Sequence, residues 1–186
     1  MTIKEVSTQH FALFMKYHKG FNLYMNLHSK PRDFKTEVVI LHGIAGAGKT
    51  KIAHMFPKPV SIPEATSVTW FNGYDPSEHE SVIFDDFNGN IKFRTMLQLM
   101  DRYPYIVNIK GGYVNWRPKY MIITSNKEPD MWYLKKSLDR DLWPAFKRRI
   151  DYEIKFLPDR KYETYSHIGA LPLAIKQELL QNFDLV

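Results

Sequence analysis

At 186 residues the chain has room for one domain with its own core, alone or with a helical appendage. Cysteine, an HExxH motif, a signal-peptide core and an apolar run of the ~18 residues that a membrane span needs are all missing, which argues against disulfide scaffolds, Cys-based zinc sites, a built-in metal cage, thiol nucleophiles, membrane insertion and secretion. The net charge of +6 is uneven: residues 1–36 carry 6 basic and 2 acidic side chains and residues 101–150 carry 11 and 5, against 5 and 7 in 37–100 and 4 and 6 in 151–186, so the excess points to an anionic polymer as partner or to a solvated surface.

Residues 8–28 place apolar side chains at helical spacing and predict one or two short helices, interrupted at Gly20 and closed by the breaker SKPRD at 29–33. EVVILHG at 37–43 is short, β-branched and ends in glycine, as a buried strand does. A helix is expected to start within 49–55. Residues 57–65 hold three prolines and read as a loop or an edge segment. SVIFDDF at 81–87 is a second buried strand, and 93–103 an amphipathic helix. Residues 106–116 read as a hairpin with Gly111 and Gly112 as its two-residue turn. YMIITSN at 120–126 is a third buried strand, and 151–156 alternates as a fourth. Residues 171–183 are a terminal helix with Pro172 in its first turn. Strands alternating with helices predict an α/β fold with a mainly parallel sheet, and such a sheet binds its ligand beyond the carboxyl ends of the strands. The chain divides into a helical segment at 1–36, a core at 37–157 and a C-terminal tail with a helix at 158–186.

Three polar signals fall at such strand ends. Gly43, Ile44, Ala45, Gly46, Ala47, Gly48, Lys49 and Thr50 fit GxxxxGK[ST], between a strand and a helix. A loop that wraps a phosphate with its N–H groups needs conformations open mainly to glycine. Lys49 would reach the β- and γ-phosphates, and the Thr50 hydroxyl would bind Mg²⁺, so ATP with Mg²⁺ is the expected ligand. Asp85 and Asp86 end the second strand; Asp85 would hold Mg²⁺ and Asp86 would polarise the attacking water, unless DDFNG is only a polar turn. The third strand ends Thr124-Ser125-Asn126, and the Asn126 amide could contact both the γ-phosphate and the water.

The series resembles a known family: the superfamily 3 helicase domain, an AAA+-like P-loop NTPase, of replication-associated initiator proteins from circovirus-like circular single-stranded DNA viruses. The match rests on KYHKGFNLYMNLHSKPRDFKTEV leading into the core, GIAGAGKT, WFNGYDPSEHESVIFDDFNG, LMDRYPYIVNIKGGYVNW, ITSNKEPDMW and the later KRRI. It covers roughly residues 14–156. The chain departs from the family in lacking the Pro-Pro pair common after the first glycine. The last thirty residues carry no matching motif.

The resemblance implies an ATP-driven helicase assembled as a homo-oligomeric ring, a hexamer, on single-stranded DNA or RNA, with residues 1–36 as a collar. It implies an arginine finger given to the neighbouring subunit by Arg148 or Arg149, with Arg149 favoured. It places the DNA-contacting loop at Lys110, Gly111 and Gly112, where Tyr113 and Trp116 could stack on bases worth ~1–3 kcal/mol each; for Trp116, packing is the competing role. It implies an intracellular site of action, the host nucleus for a eukaryotic DNA virus. The family's nicking endonuclease is not expected, because no His-hydrophobic-His pair is present and the Tyr-x-x-Lys at 133–136 follows the ATPase motifs. An RNA-virus helicase, a non-catalytic nucleotide-binding remnant and a P-loop small-molecule kinase are the alternatives.

Overall fold

The computed structural model describes residues 3–62, 70–133, 142–166 and 168–186. Three segments that are apolar on both faces, β1 (Glu37–Gly43), β3 (Ser81–Phe84) and β6 (Tyr120–Ser125), need cover on both sides. They therefore take the middle of a seven-stranded sheet of order β2-β3-β6-β1-β7-β8-β9. The remaining strands are β2 (Pro59–Ser61), β7 (Tyr152–Phe156), β8 (Lys161–Thr164) and β9 (Asp184–Leu185). All neighbours pair in parallel except β7 and β8, which form a hairpin. This is the α/β, mainly parallel architecture of a P-loop NTPase core.

The sheet is the middle layer of three. One face carries Val38, Ile40, Val82, Phe84, Met121 and Ile123 and is covered by Phe71, Met96, Trp116 and Phe146. The other carries Val39, Leu41, Ile83, Ile122 and Ile154 and is covered from α3 (Lys49–Ala53) and α6 (Leu173–Asn182) by Ile52, Ile175 and Leu179. The C-terminal tail thus completes the core.

Several boundaries differ from the sequence-based expectation. The N-terminal segment forms α1 (Ile3–Gln9) and α2 (Phe11–His28), and α2 departs from helical geometry at Tyr17, with φ −123° and ψ 18°, not at Gly20. One glycine costs a helix only about 1 kcal/mol, which is too little to end it. The hairpin of β4 (Ile106–Ile109) and β5 (Gly112–Asn115) pairs Ile109 with Gly112, so its two-residue turn is Lys110 and Gly111, with Gly112 already in the strand. The second strand stops at Phe84, because Asp86 adopts φ +48° and turns the chain out of the sheet. Residues 57–62 provide the edge strand β2; 63–65 lie outside the described residues. β8 and β9 were not foreseen. Pro172 sits just before α6 rather than in it. Beyond Tyr133 the Tyr-x-x-Lys stretch also lies outside the described residues, and Tyr133 itself is buried with its hydroxyl donating to the Ile91 carbonyl at 3.0 Å.

Arg32, inside the expected breaker, is only 1% exposed. Its guanidinium donates to the carbonyls of Leu99 at 2.7 Å, Gln98 at 2.8 Å and Tyr103 at 2.6 Å, and to Thr36 Oγ1 at 3.1 Å. The Gln98 and Leu99 carbonyls end α4 (Phe93–Leu99) and Tyr103 follows it, so one side chain fastens the segment after α2 to the helix end and the turn beyond it. Burial pushes its pKa down to about 10, against the opposing pull of Asp101. Arg32→Ala is expected to lower the free energy of unfolding by about 3 kcal/mol in a urea titration, since it leaves buried carbonyls without donors.

Candidate functional site

Parallel pairing brings the three polar strand ends together. Ile40, Ile123 and Phe84 lie on one rung, so the chains leaving β1, β6 and β3 emerge side by side. Between them lies a hollow of about 410 Å³ lined by Gly46, Gly48, Lys49, Thr50, Asp85, Asp86, Thr124 and Asn126, among others.

Gly43 has a structural reason to be glycine. It has φ +123°, and a Cβ there would lie 2.1 Å from the Phe156 carbonyl oxygen on β7. The absence of a side chain there lets β7 approach the start of the loop. Gly46 and Gly48 hold φ +78° and +85° and have open space around them, so their requirement is backbone conformation alone. Ile44 and Ala45 are exposed and Ala47 is half-buried.

Lys49 is buried within the loop it ends. Its ammonium donates to the carbonyls of Gly43 at 3.1 Å and Ile44 at 2.5 Å and to Asn126 Oδ1 at 2.9 Å. Burial pulls its pKa below the usual lysine value, and the charges of Asp86 and Asp85 oppose that. The Asn126 amide continues the chain by donating from Nδ2 to Asp86 Oδ1 at 3.1 Å. In parallel, Thr50 Oγ1 donates to Asp85 Oδ1 at 2.8 Å. Two relays, Lys49–Asn126–Asp86 and Thr50–Asp85–Thr124, therefore run across the hollow.

Thr124 is the residue that sequence reasoning left out of the site. Its hydroxyl donates to Asp85 Oδ1 at 2.6 Å and accepts the Asp86 N–H at 3.0 Å. The Phe87 N–H donates to the Thr124 carbonyl at 2.8 Å, and Ser125 Oγ donates to the Phe87 carbonyl at 2.8 Å. These bonds hold the 85–87 turn with Asp86 in a left-handed conformation that aspartate tolerates. The available signal was its position two residues before Asn126, on the same strand face.

The fit to Mg²⁺ rests on oxygen chemistry: the Thr50 hydroxyl and the Asp85 carboxylate, already in contact, are the hard donors that this ion takes alongside phosphate oxygens.

The hairpin stands apart from the hollow and lines none of it. Lys110, Gly111 and Gly112 are exposed at its tip, and Tyr113 is 42% exposed. The Lys110 N–H donates to Asn72 Oδ1 at 2.8 Å, and the Tyr113 carbonyl accepts from Asn26 Nδ2 at 2.5 Å, so the hairpin is braced from both sides. Trp116 is fully buried, donates to the Leu99 carbonyl at 2.9 Å and packs against Phe71. It is a packing residue.

Arg149, the favoured finger, turns inward after α5 (Trp143–Lys147). Its guanidinium meets Asp101 Oδ2 at 2.6 Å and donates to the Ala145 carbonyl at 2.6 Å. Burial would raise the pKa of Asp101, but the hydrogen bond and charge of Arg149 hold it below the usual carboxylate value. Arg148, beside it, is exposed.

Comparison with known proteins gives the same direction. A family model described as RNA helicase matches residues 39–127. The replication-associated protein of Canary circovirus is 39% identical over 148 residues, covering 79% of this chain and 49% of the relative. That of Beak and feather disease virus is 34% identical over 166 residues, covering 89% and 56%. That of Porcine circovirus 2 is 35% identical over 131 residues, covering 69% and 41%. The chain thus spans about half the length of the curated relatives it matches. By fold and by sequence, the chain carries a P-loop NTPase core of the superfamily 3 helicase type and is related to the replication-associated proteins of circoviruses.

Proposed function

We propose that this chain is the ATP-hydrolysing motor of a viral replication helicase that acts on single-stranded DNA as a ring of identical subunits. The observation that carries the reading is the meeting of Lys49, Thr50, Asp85, Asp86 and Asn126 around one hollow. The circovirus relatives favour DNA, while the name of the matched family model makes single-stranded RNA the competing substrate.

In this reading the 43–50 loop binds the triphosphate and Lys49 exchanges its loop carbonyls for β- and γ-phosphate oxygens. Thr50 and Asp85 hold Mg²⁺, which when bound offsets negative charge building on the phosphates. Asp86 orients the attacking water and accepts its proton. Asn126, already linked to both Lys49 and Asp86, places the γ-phosphate relative to that water. Arg148 takes the finger role in place of Arg149, because it is exposed while Arg149 is engaged by Asp101 within its own chain.

Assembly is supported by α2, which exposes Phe11, Leu13, Met15, Tyr17, Tyr24 and Leu27 at 52–72%. Full burial of such side chains is worth roughly 1.5–3 kcal/mol each, so four of them would offset much of the association cost of ~4–15 kcal/mol. Covering this helix with other copies of the chain gives the 1–36 segment its collar role. The exposed Lys110 tip would then contact the strand's phosphates.

Steady-state ATP hydrolysis with and without single-stranded DNA tests this reading. Turnover stimulated by DNA more than by RNA is expected, with Lys49→Ala slower by about 100-fold or more. No turnover with either polymer, or a Lys49→Ala variant equal to the parent, would contradict it. Thr124→Val, which keeps the side-chain volume, is expected to lower kcat about tenfold and the free energy of unfolding by about 1 kcal/mol, since it frees Asp85 and the Asp86 N–H. Arg148→Ala is expected to lose turnover by about 1,000-fold, restored in mixed assemblies where wild-type subunits supply the arginine. Arg149→Ala should instead lower Tm.

A further inference from the structure

A buried polar ring beside the site has no part in the reading above. His42 lies on β1 directly before Gly43 and is 2% exposed. Among the described residues neither of its ring nitrogens makes a hydrogen bond. Nε2 lies 3.4 Å from Glu153 Oε1 on β7, in contact but without the alignment that a hydrogen bond needs. Leaving a buried imidazole unpaired is costly, so its place on the strand that opens the phosphate loop calls for a use.

Glu153 extends that contact across the sheet. β7 turns Tyr152, Ile154 and Phe156 to one face and Glu153 to the other, where α5 packs through Phe146. There Glu153 Oε2 lies 3.5 Å from the Lys147 ammonium at the end of α5. Lys147 also lies 3.4 Å from Asp130 Oδ1, in the short helical turn Pro129–Met131 that follows Asn126. Burial would raise the pKa of Glu153, but His42 and Lys147 hold it below the usual carboxylate value. One carboxylate thus touches the strand that leads into the phosphate loop with one oxygen and the residue before Arg148 with the other.

We propose that Glu153 is a positioning residue that couples the nucleotide state of a subunit to the arginine finger that the same subunit gives to its neighbour. The inference rests on the ring assembly and on Arg148 as the finger, and adds what sets that finger. Without nucleotide, Lys49 holds the Gly43 carbonyl, next to His42. When Lys49 turns to phosphate that carbonyl is released, and His42 gains the freedom to align Nε2 on Glu153. The carboxylate then divides its attraction between His42 and Lys147, and the balance resets the end of α5 that carries Arg148. Asp130 gives Lys147 a second carboxylate from the Asn126 side, so both ends of the phosphate site reach the same lysine.

Steady-state ATP hydrolysis by full-length variants, alone and in mixed assemblies, tests this. Glu153→Gln keeps the side-chain shape and removes the charge; it is expected to lower kcat about tenfold with KM for ATP within about twofold, because the finger acts in the neighbour's transition state. Glu153→Gln combined with Lys147→Met should lose no more than about the larger single loss, as residues that act as a unit do. Mixing with Lys49→Ala subunits, whose fingers are intact, should raise turnover per Glu153→Gln subunit about threefold or more. Arg148→Ala mixed with Lys49→Ala is the matching control. If that control regains turnover while Glu153→Gln does not, or if Glu153→Gln alone keeps the parent kcat, Glu153 does not act through the finger. If the Arg148→Ala mixture regains nothing, the finger reading fails and the proposal fails with it.

Discussion

The site depends on a single constraint, the common register of three parallel strands. Ile40, Ile123 and Phe84 share a rung, and each is buried on both sides by the layers that cover the sheet. A slip of one residue would turn every side chain of a strand to the opposite face and misplace its end. Since both faces are apolar, packing shape and the 85–87 turn must hold the register. Thr124 does so at the point of use, binding Asp85 and the Asp86 N–H with one hydroxyl. Hydrophobic burial thereby fixes the positions of polar groups that touch none of the core.

Charge has several uses in this chain. The basic excess in 101–150 first suggested a polymer-binding strip, but part of it is structural. Arg149 is committed to Asp101, and Lys147 lies 3.4 Å from Asp130 and 3.5 Å from Glu153. Lys155 on β7 pairs with Glu128 at 2.7 Å, linking β7 to the loop after β6. Lys110 and Arg148 are exposed, as are Arg102, Lys119 and Lys127, so a basic surface remains open to other molecules. Inside the site the balance is closer: one buried ammonium faces two carboxylates, an arrangement that an incoming triphosphate with its cation can enter without stranding a charge.

Much of the core was legible in the sequence because its strands are short apolar runs ending in polar residues. The 37–43, 81–84 and 120–125 segments and the motif between β1 and α3 share that pattern. The rest was hidden for identifiable reasons. Arg32 looked like part of a breaker because nothing local shows that α4's terminal carbonyls lie above it. The close approach of Phe156 to Gly43 was hidden because the two are over a hundred residues apart in sequence. Arg148 and Arg149 are adjacent, so which one turns inward depends on Asp101, a contact no local pattern reveals. The tail carries no motif because it is held mostly by packing and backbone bonds, with one ion pair from Lys51 to Glu178, which many sequences can supply.

The most direct measurement is the affinity for ATP in Mg²⁺ and in EDTA, for the wild-type chain and for Asp85→Asn. If Thr50 and Asp85 complete a metal–triphosphate site, removing Mg²⁺ weakens wild-type binding about tenfold or more, and Asp85→Asn abolishes most of that difference. Equal affinity in Mg²⁺ and EDTA for the wild-type chain, or an Asp85→Asn variant with an undiminished Mg²⁺ dependence, would contradict a metal–nucleotide site at the meeting of these strand ends.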